Sequence, residues 1–397
     1  MHLTLHLTER CNLRCRYCYA APHGERDMSF DTARAAIEIA LADRSPTTRD
    51  RSLGVIFFGG EPLLKRDLIL GIVRHCREIE ERTGCRFHFK ITTNGIMLDD
   101  EFLTAPYTRD VFVALSCDGV REAHDAHRVD AAGRGTWHAV DAAAEMLLRR
   151  RPYAPAMMVV NPDTVQFYAA SVEHLYARGF HYIVASLNYG AEWSDGHVRE
   201  LSRQYRRIAE WYYERSVAED KFYFSPFEAK IASCVDPGGA AKDRCELGRT
   251  QISVAPDGGL YPCVQFVGDP AFRIGHATTG LDEAAREGLY TLSAEEKAEC
   301  GGCALSERCN HHCGCLNRQA TGRVDRVAPL LCAHERAIMP IVDRVAARLY
   351  RRRAPMFIQK HYNELFPLVS LVEDASVPDA ASCLPTELLT DSPPSIR

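Results

Sequence analysis

No stretch of the 397-residue chain approaches the roughly 18 uninterrupted apolar residues that a transmembrane helix needs, so no membrane span is expected. The opening MHLTLHLTE lacks both the basic and the apolar segment of an export signal, and the chain is expected to stay in the cytoplasm. A large excess of one charge is missing as well. With 48 Lys and Arg against 53 Asp and Glu, the net charge is −5, which implies no general attraction to nucleic acid. Runs such as Arg149-Arg150-Arg151 read as a solvated helix end. No internal repeat occurs beyond an alternation of strands and helices, and residues 225–335 are short of core-forming side chains.

What remains is the composition of a globular protein, 46% hydrophobic and 25% charged. The length suits two or three domains, or one large α/β domain with an attachment. Short apolar runs at 3–8, 53–58, 87–93, 111–118, 155–160 and 182–188 predict strands. Amphipathic stretches at 31–43, 66–82, 136–151 and 164–178 predict the helices between them. Six strand–helix units imply a parallel sheet, either doubly wound or curled into a barrel, and are too few for the eightfold barrel. A long helix at about 196–218 closes this part. Beyond it, 252–263 reads as a hairpin turning at Pro256-Asp257-Gly258-Gly259, followed by a helix at about 333–352. The Pro- and Ser-rich last 20 residues suggest disorder.

Cysteine is the outlier, with 16 residues in tight groups. In a chain expected to stay in a reducing compartment, such groups read as metal or cluster ligands rather than disulfides. Cys11, Cys15 and Cys18 fall within eight residues after the first strand, and only His23 lies close enough to be a fourth ligand. Structural zinc takes four ligands, usually as two pairs. A four-iron cube offers four corners, so three thiolates leave one iron open for a ligand that is not protein.

The run CNLRCRYC, a Cys-x3-Cys-x-aromatic-Cys pattern with Tyr17 as the aromatic, resembles the signature of the radical S-adenosylmethionine (SAM) superfamily. That resemblance implies a partial (β/α)6 TIM-like barrel over residues 1–220. It implies a [4Fe-4S] cluster on Cys11, Cys15 and Cys18, with the open iron chelated by SAM. Reductive cleavage of SAM then gives a 5′-deoxyadenosyl radical that abstracts a hydrogen atom from a substrate C–H bond. Further motifs follow at successive strand ends: FFGGEP (57–62), TTNG (92–95) and SCDG (116–119), then HDAHRVD (124–130). Parallel α/β folds bind ligands at that face. By resemblance Tyr17 lies near the adenine, and Gly59, Gly60, Glu61, Asn94, Ser116 and Arg128 contact the cofactor. Read without it, Gly59-Gly60 is a tight turn needing unusual φ.

A second set reads Cys245-x12-Gly258-x4-Cys263, then Cys300-x2-Cys303-x5-Cys309-x3-Cys313, then Cys332. Zinc sites are the plain reading of such pairs. The full string resembles the SPASM domain, a small cysteine-rich extension of certain radical SAM enzymes, expected over 221–345 with a C-terminal extension over 346–397. The resemblance implies two auxiliary [4Fe-4S] clusters, making three in all. Cys300, Cys303, Cys309 and Cys332 would hold the remote one; Cys245, Cys263 and Cys313 would hold the nearer one. Cys234 is expected as its fourth ligand, the alternative being an open iron. Cys76 and Cys117 read as small buried hydrophobes, Cys315 as a spare beside a ligand, and Cys383 as idle. Whether His311 and His312 tune a cluster stays open.

SPASM enzymes of this kind mostly modify peptides, which implies a precursor-peptide substrate and a thioether, ether or carbon–carbon crosslink. They also imply a flavodoxin- or ferredoxin-like electron donor. The alternative is anaerobic sulfatase maturation, which makes formylglycine. Those maturases carry an Asp base directly after the cysteine matching Cys263, where this chain has Val264, with Asp269 out of register. The peptide would be gripped by a separate leader-recognition protein or by 354–372, unless that segment is simply a packed helix. A cysteine-rich zinc scaffold is the non-enzyme alternative.

Overall fold

The computed structural model describes residues 1–20, 24–43, 52–235 and 245–375. His23, Cys383 and the Pro- and Ser-rich last 20 residues lie outside them. Seven strands follow the chain as β1 (His2–His6), β2 (Ser52–Phe58), β3 (Arg86–Thr93), β4 (Val111–Ser116), β5 (Pro155–Val160), β6 (Tyr182–Leu187) and β7 (Tyr223–Phe224). Between them run α1 (Phe30–Ala42), α2 (Arg66–Thr83), α3 (Asp100–Thr104), α4 (Arg121–His127), α5 (Trp137–Arg150), α6 (Tyr168–Arg178) and α7 (Asp195–Val217). After β7 come α8 (Ser225–Val235) and the short strands β8 (Gln251–Val254), β9 (Gly259–Tyr261), β10 (Gly275–His276) and β11 (Gly280–Leu281). Five helices complete the chain: α9 (Glu283–Ala294), α10 (Gly314–Thr321), α11 (Pro329–Arg352), α12 (Pro355–Tyr362) and α13 (Phe366–Ala375). None of the described helices is long and apolar enough to cross a membrane.

Strands β1 to β7 lie side by side in chain order, each parallel to the next. That order separates the two architectures left open by the sequence. A doubly wound sheet reverses direction at a switch point, whereas an unreversed order with crossovers of one hand puts every helix on one face. The sheet is therefore of the barrel kind, and it is open, because β7 is an edge.

The other edge carries the cysteine-rich part. Strand β8 pairs parallel to β1, from His2 opposite Gln251 to Leu5 opposite Val254. The hairpin β8–β9 turns where the Pro-Asp-Gly-Gly signal predicts, with Gly258 at φ +92°. Strands β10 and β11 extend it in antiparallel fashion. The expected boundary at 220/221 thus falls inside one continuous eleven-stranded sheet.

Alternation along the strands separates core from interior. In β2, Leu53, Val55 and Phe57 are buried while the residues between are half-exposed, and β3 buries Phe87, Phe89, Ile91 and Thr93 in the same way. Helices cover the first set. On α2, Ile69, Ile72, Val73, Cys76 and Ile79 recur at helical spacing and are all buried. Cys76 and Cys117 are buried as expected, with Cys85 beside them. Of the segment 354–372, α12 packs down: Phe357 is buried and Lys360 reaches Glu228 and the Phe222 carbonyl. Residues 355–362 thus match the packed-helix alternative. Leu365, Leu368 and Val369 are exposed.

Candidate active site

The loop after β1 is fastened on both sides. On one side, the Gly60 amide donates to the Thr8 carbonyl (2.8 Å) and the Glu61 amide to the Arg10 carbonyl (2.9 Å). A Cβ on Gly60 would stand 2.0 Å from that Arg10 oxygen, and Gly59 has φ +125° with its Cβ position 2.5 Å from the Thr8 carbonyl. Both glycines are thus required by backbone approach alone, because they seat the loop that begins with Cys11. On the other side, the amides of Arg14 and Arg16 donate to the carbonyls of Val129 (2.7 Å) and His127 (2.9 Å).

These anchors close one wall of a cavity of about 630 Å³ at the C-terminal ends of the strands. Cys11, Cys15 and Cys18 line it, and so do Tyr17, Gly59, Gly60, Glu61, Asn94, Ser116 and Arg128. All ten residues picked from the first motifs therefore meet in one place. The volume is that of a typical small-molecule site. Met157, Val159, Val184 and Ser186 project into it from β5 and β6, and Gln265, Leu316 and Gln319 close the far side.

Polar side chains around the cavity are tied to one another. Asn94 donates from Nδ2 to Asn12 Oδ1 (2.7 Å), and the same nitrogen lies 3.8 Å from Cys11 Sγ. Glu61 is fully buried, yet its carboxylate accepts from the amides of Leu63 (3.0 Å) and Asn94 (2.8 Å) and from the Thr93 hydroxyl (2.7 Å). Burial pushes its pKa above the usual carboxylate range, and those hydrogen bonds oppose the shift. Tyr17 donates to Asp118 Oδ2 (2.6 Å) and accepts from Arg128 Nη1 (2.7 Å). Burial acts to lower the Arg128 pKa, but Tyr17, Cys15 and Asp118 outweigh it and keep the guanidinium charged. Asp118 and Asn12 were not singled out from the sequence, although Asp118 sits inside the SCDG motif. Their partners lie far along the chain, where local pattern carries no signal.

The remaining cysteines form two groups. Cys300, Cys303, Cys309 and Cys332 are electrostatic neighbours, with the Cys303 amide donating to the Cys300 carbonyl (3.0 Å). Beside Cys309 lies the buried ion pair of Lys230 Nζ and Glu335 Oε1 (2.7 Å). Cys245 neighbours Cys313 and Cys263, and Cys263 and Cys315 are buried in a small core with Leu247, Tyr261 and Phe266. Helix α10, which begins at Cys313, presents Leu316 and Gln319 to the main cavity. Cys234 is exposed at the end of α8, with Arg308 and Tyr362 as neighbours. Among the described residues no three His, Cys, Asp or Glu side chains are gathered as one mononuclear ion would require.

The model of the radical SAM superfamily matches residues 5–181, which span the cysteine loop and the strand-end motifs. The chain is an enzyme with a radical SAM domain over residues 5–181. That excludes the zinc scaffold, and the superfamily implies a [4Fe-4S] cluster and SAM. Donor chemistry and space fit them: three soft thiols on one wall of a cavity of suitable size, with a backbone cradle that two glycines hold open. The chain is 24% identical over 323 residues to the serine-type anaerobic sulfatase-maturating enzyme of Klebsiella aerogenes, covering 76% of each chain. It is 36% identical to an uncharacterized protein of Methanocaldococcus jannaschii, over 30% of this chain and 39% of that one. In fold, this radical SAM chain is similar to native anSMEcpe with bound AdoMet, at a TM-score of 0.75 and 17% identity, covering 88% of this chain and 99% of that one. Streptococcus suis SuiB bound to precursor peptide SuiA matches at a TM-score of 0.57 and 14% identity, over 83% and 75%.

Proposed function

We propose that this radical SAM enzyme modifies a ribosomally made precursor peptide, installing a crosslink or a related change. The observation that carries the reading is the single cavity joining the cysteine loop and the strand-end motifs to the wall formed by α10. Cys11, Cys15 and Cys18 would hold the SAM-binding cluster. Tyr17, Gly59, Gly60, Glu61, Asn94, Ser116 and Arg128 would form the nucleotide's seat. Cys300, Cys303, Cys309 and Cys332 would hold one auxiliary cluster, with Cys245, Cys263 and Cys313 in the other. These groups supply hydrogen-atom abstraction at the first site and one-electron oxidation at the auxiliary ones. The chain's own part is orientation and exclusion of water: Met157, Val159, Val184 and Leu316 give the substrate side an apolar lining. The reading also calls for a flavodoxin- or ferredoxin-like donor and, for the peptide, a separate leader-recognition protein.

Peptide substrates are supported by the fold's likeness to SuiB with precursor peptide SuiA and to anSMEcpe with the Kp18Cys peptide. Sulfatase maturation is the second reading, favoured by the named relative in Klebsiella. The local chemistry weighs against it. Val264 follows Cys263, and Asp269 is bound to Arg318 and caps the Ala271 amide (3.1 Å). Among the described residues, the one carboxylate lining the cavity, Glu61, has its oxygens committed to three donors. Co-expression with a short precursor peptide encoded alongside, followed by mass spectrometry, tests the reading. A loss of two hydrogens per crosslink is expected, abolished when Cys11, Cys15 and Cys18 are replaced by Ala. Formylglycine on a sulfatase peptide would establish the second reading instead, and failure of the reduced protein to make deoxyadenosine from SAM would sink both.

A further inference from the structure

Four thiols, not three, converge beside α10. Cys313 is the N-cap of that helix and Cys315 lies in its first turn, with their sulfurs 3.3 Å apart. The Cys315 sulfur also hydrogen-bonds Cys263, and Cys245 has Cys313 and Cys263 as electrostatic neighbours. Cys315 is buried, and its surroundings are Leu247, Tyr261, Phe266 and Val324. Burial among apolar side chains would suit a free thiol as a small hydrophobe, as at Cys76 and Cys117; what sets Cys315 apart is its contact with two further thiols. Cys234, the upstream thiol that spacing suggests, is exposed at the end of α8 and faces Arg308 and Tyr362.

We propose that Cys315, rather than Cys234, supplies the fourth ligand to the cluster held by Cys245, Cys263 and Cys313. The proposal rests on the reading that these three bind an auxiliary cluster. A four-iron cube normally takes one thiolate at each corner, and a fully ligated cube transfers electrons without binding substrate. The 3.3 Å contact is closer than cube corners allow, but a step between staggered χ1 rotamers carries a cysteine sulfur by ~3 Å, enough to part the two. Because Leu316 and Gln319 of the same helix line the main cavity, the fully ligated cluster stands behind that wall. The substrate thus meets side chains of α10 and no open iron.

The test compares anaerobically reconstituted full-length variants by iron content and Mössbauer spectroscopy. A triple variant with Cys245, Cys263 and Cys313 replaced by Ala first establishes the cluster itself; if it binds as much iron as the unmodified chain, the underlying reading fails. With that loss in hand, Cys315→Ala and Cys315→Ser should each release about one to four irons per chain, or leave one iron with altered parameters. Serine keeps the volume and a hydrogen bond, so it would preserve a merely structural role. Cys234→Ala should retain the full iron content and spectrum. Loss in Cys234→Ala, or an unchanged spectrum in either Cys315 variant, overturns the proposal.

Discussion

His334 is buried between two tyrosines, with Tyr205 Oη 2.7 Å from its Nε2 and Tyr189 Oη 3.1 Å from its Nδ1. Burial lowers its pKa from 6.5 to about 3, and in the same way lowers those of His6 to about 4 and His124 to about 3. All three are neutral in the folded chain at neutral pH and titrate near 6.5 once unfolded. Between pH 6.5 and about 4 these three histidines bind more protons in the unfolded state, and the stability they contribute falls as pH falls through that window. Denaturant midpoints at pH 7 and pH 5 check this; a midpoint that is equal or higher at pH 5 contradicts it. The residue scale is also where spacing along the chain and place in the fold can differ. Cys234 has the spacing of a ligand and an exposed place at a helix end, while Cys315 looks redundant in the string and is buried beside Cys313. Spacing reports what a chain can reach and not which way a side chain turns.

At the scale of elements, the turn between β2 and α2 and the loop after β1 form one unit. Their backbones approach so closely that any side chain at Gly60 collides with the Arg10 carbonyl. Gly60→Ala must push the loop away, and with it Cys11. The expected result is a loss of iron from the first cluster and at least a tenfold fall in deoxyadenosine formation. Iron analysis of the purified variant checks it, and full retention of iron would show that the loop can yield. The six principal strands were legible because each is an apolar run of six or so residues ended by a turn signal. Strands β7, β10 and β11 were not, since two residues carry no period. Helix α6 begins at Tyr168 rather than 164 because Pro162 opens a tighter 3₁₀ turn first.

At the scale of the whole molecule, the cysteine-rich region is tied to the barrel at both ends of the sheet. Strand β8 pairs with β1, and α11 packs along α7 and α8. Between α8 and α11 lies the ion pair of Lys230 and Glu335, whose side chains are 9% and 3% exposed. Removing Lys230 takes away the main partner of the buried Glu335, which keeps only the Asn310 amide and the Arg308 charge, so Lys230→Met should cost about 3–5 kcal/mol. Replacing both, with Glu335→Leu added, should recover most of that loss. Chemical unfolding of the single and double variants checks the pair, and equal stability of the two would show that no uncompensated charge was left.

The sequence by itself determined the class of chemistry and the six strand–helix units, because thiol spacing and hydrophobic period are local properties written within a few residues; the strand order that makes the sheet barrel-like came from the tertiary structure. It also placed Gly59, Gly60, Glu61, Asn94 and Ser116 at strand ends, since a strand's end is where its apolar run stops. Only the tertiary structure decided which thiols sit together and that the sheet runs unbroken into the cysteine-rich part. It also decided that Tyr17, Asp118 and Arg128 share one buried network. The sheet extension and the buried network depend on contacts between segments 100 residues or more apart, where the direction of a side chain is set by what packs behind it.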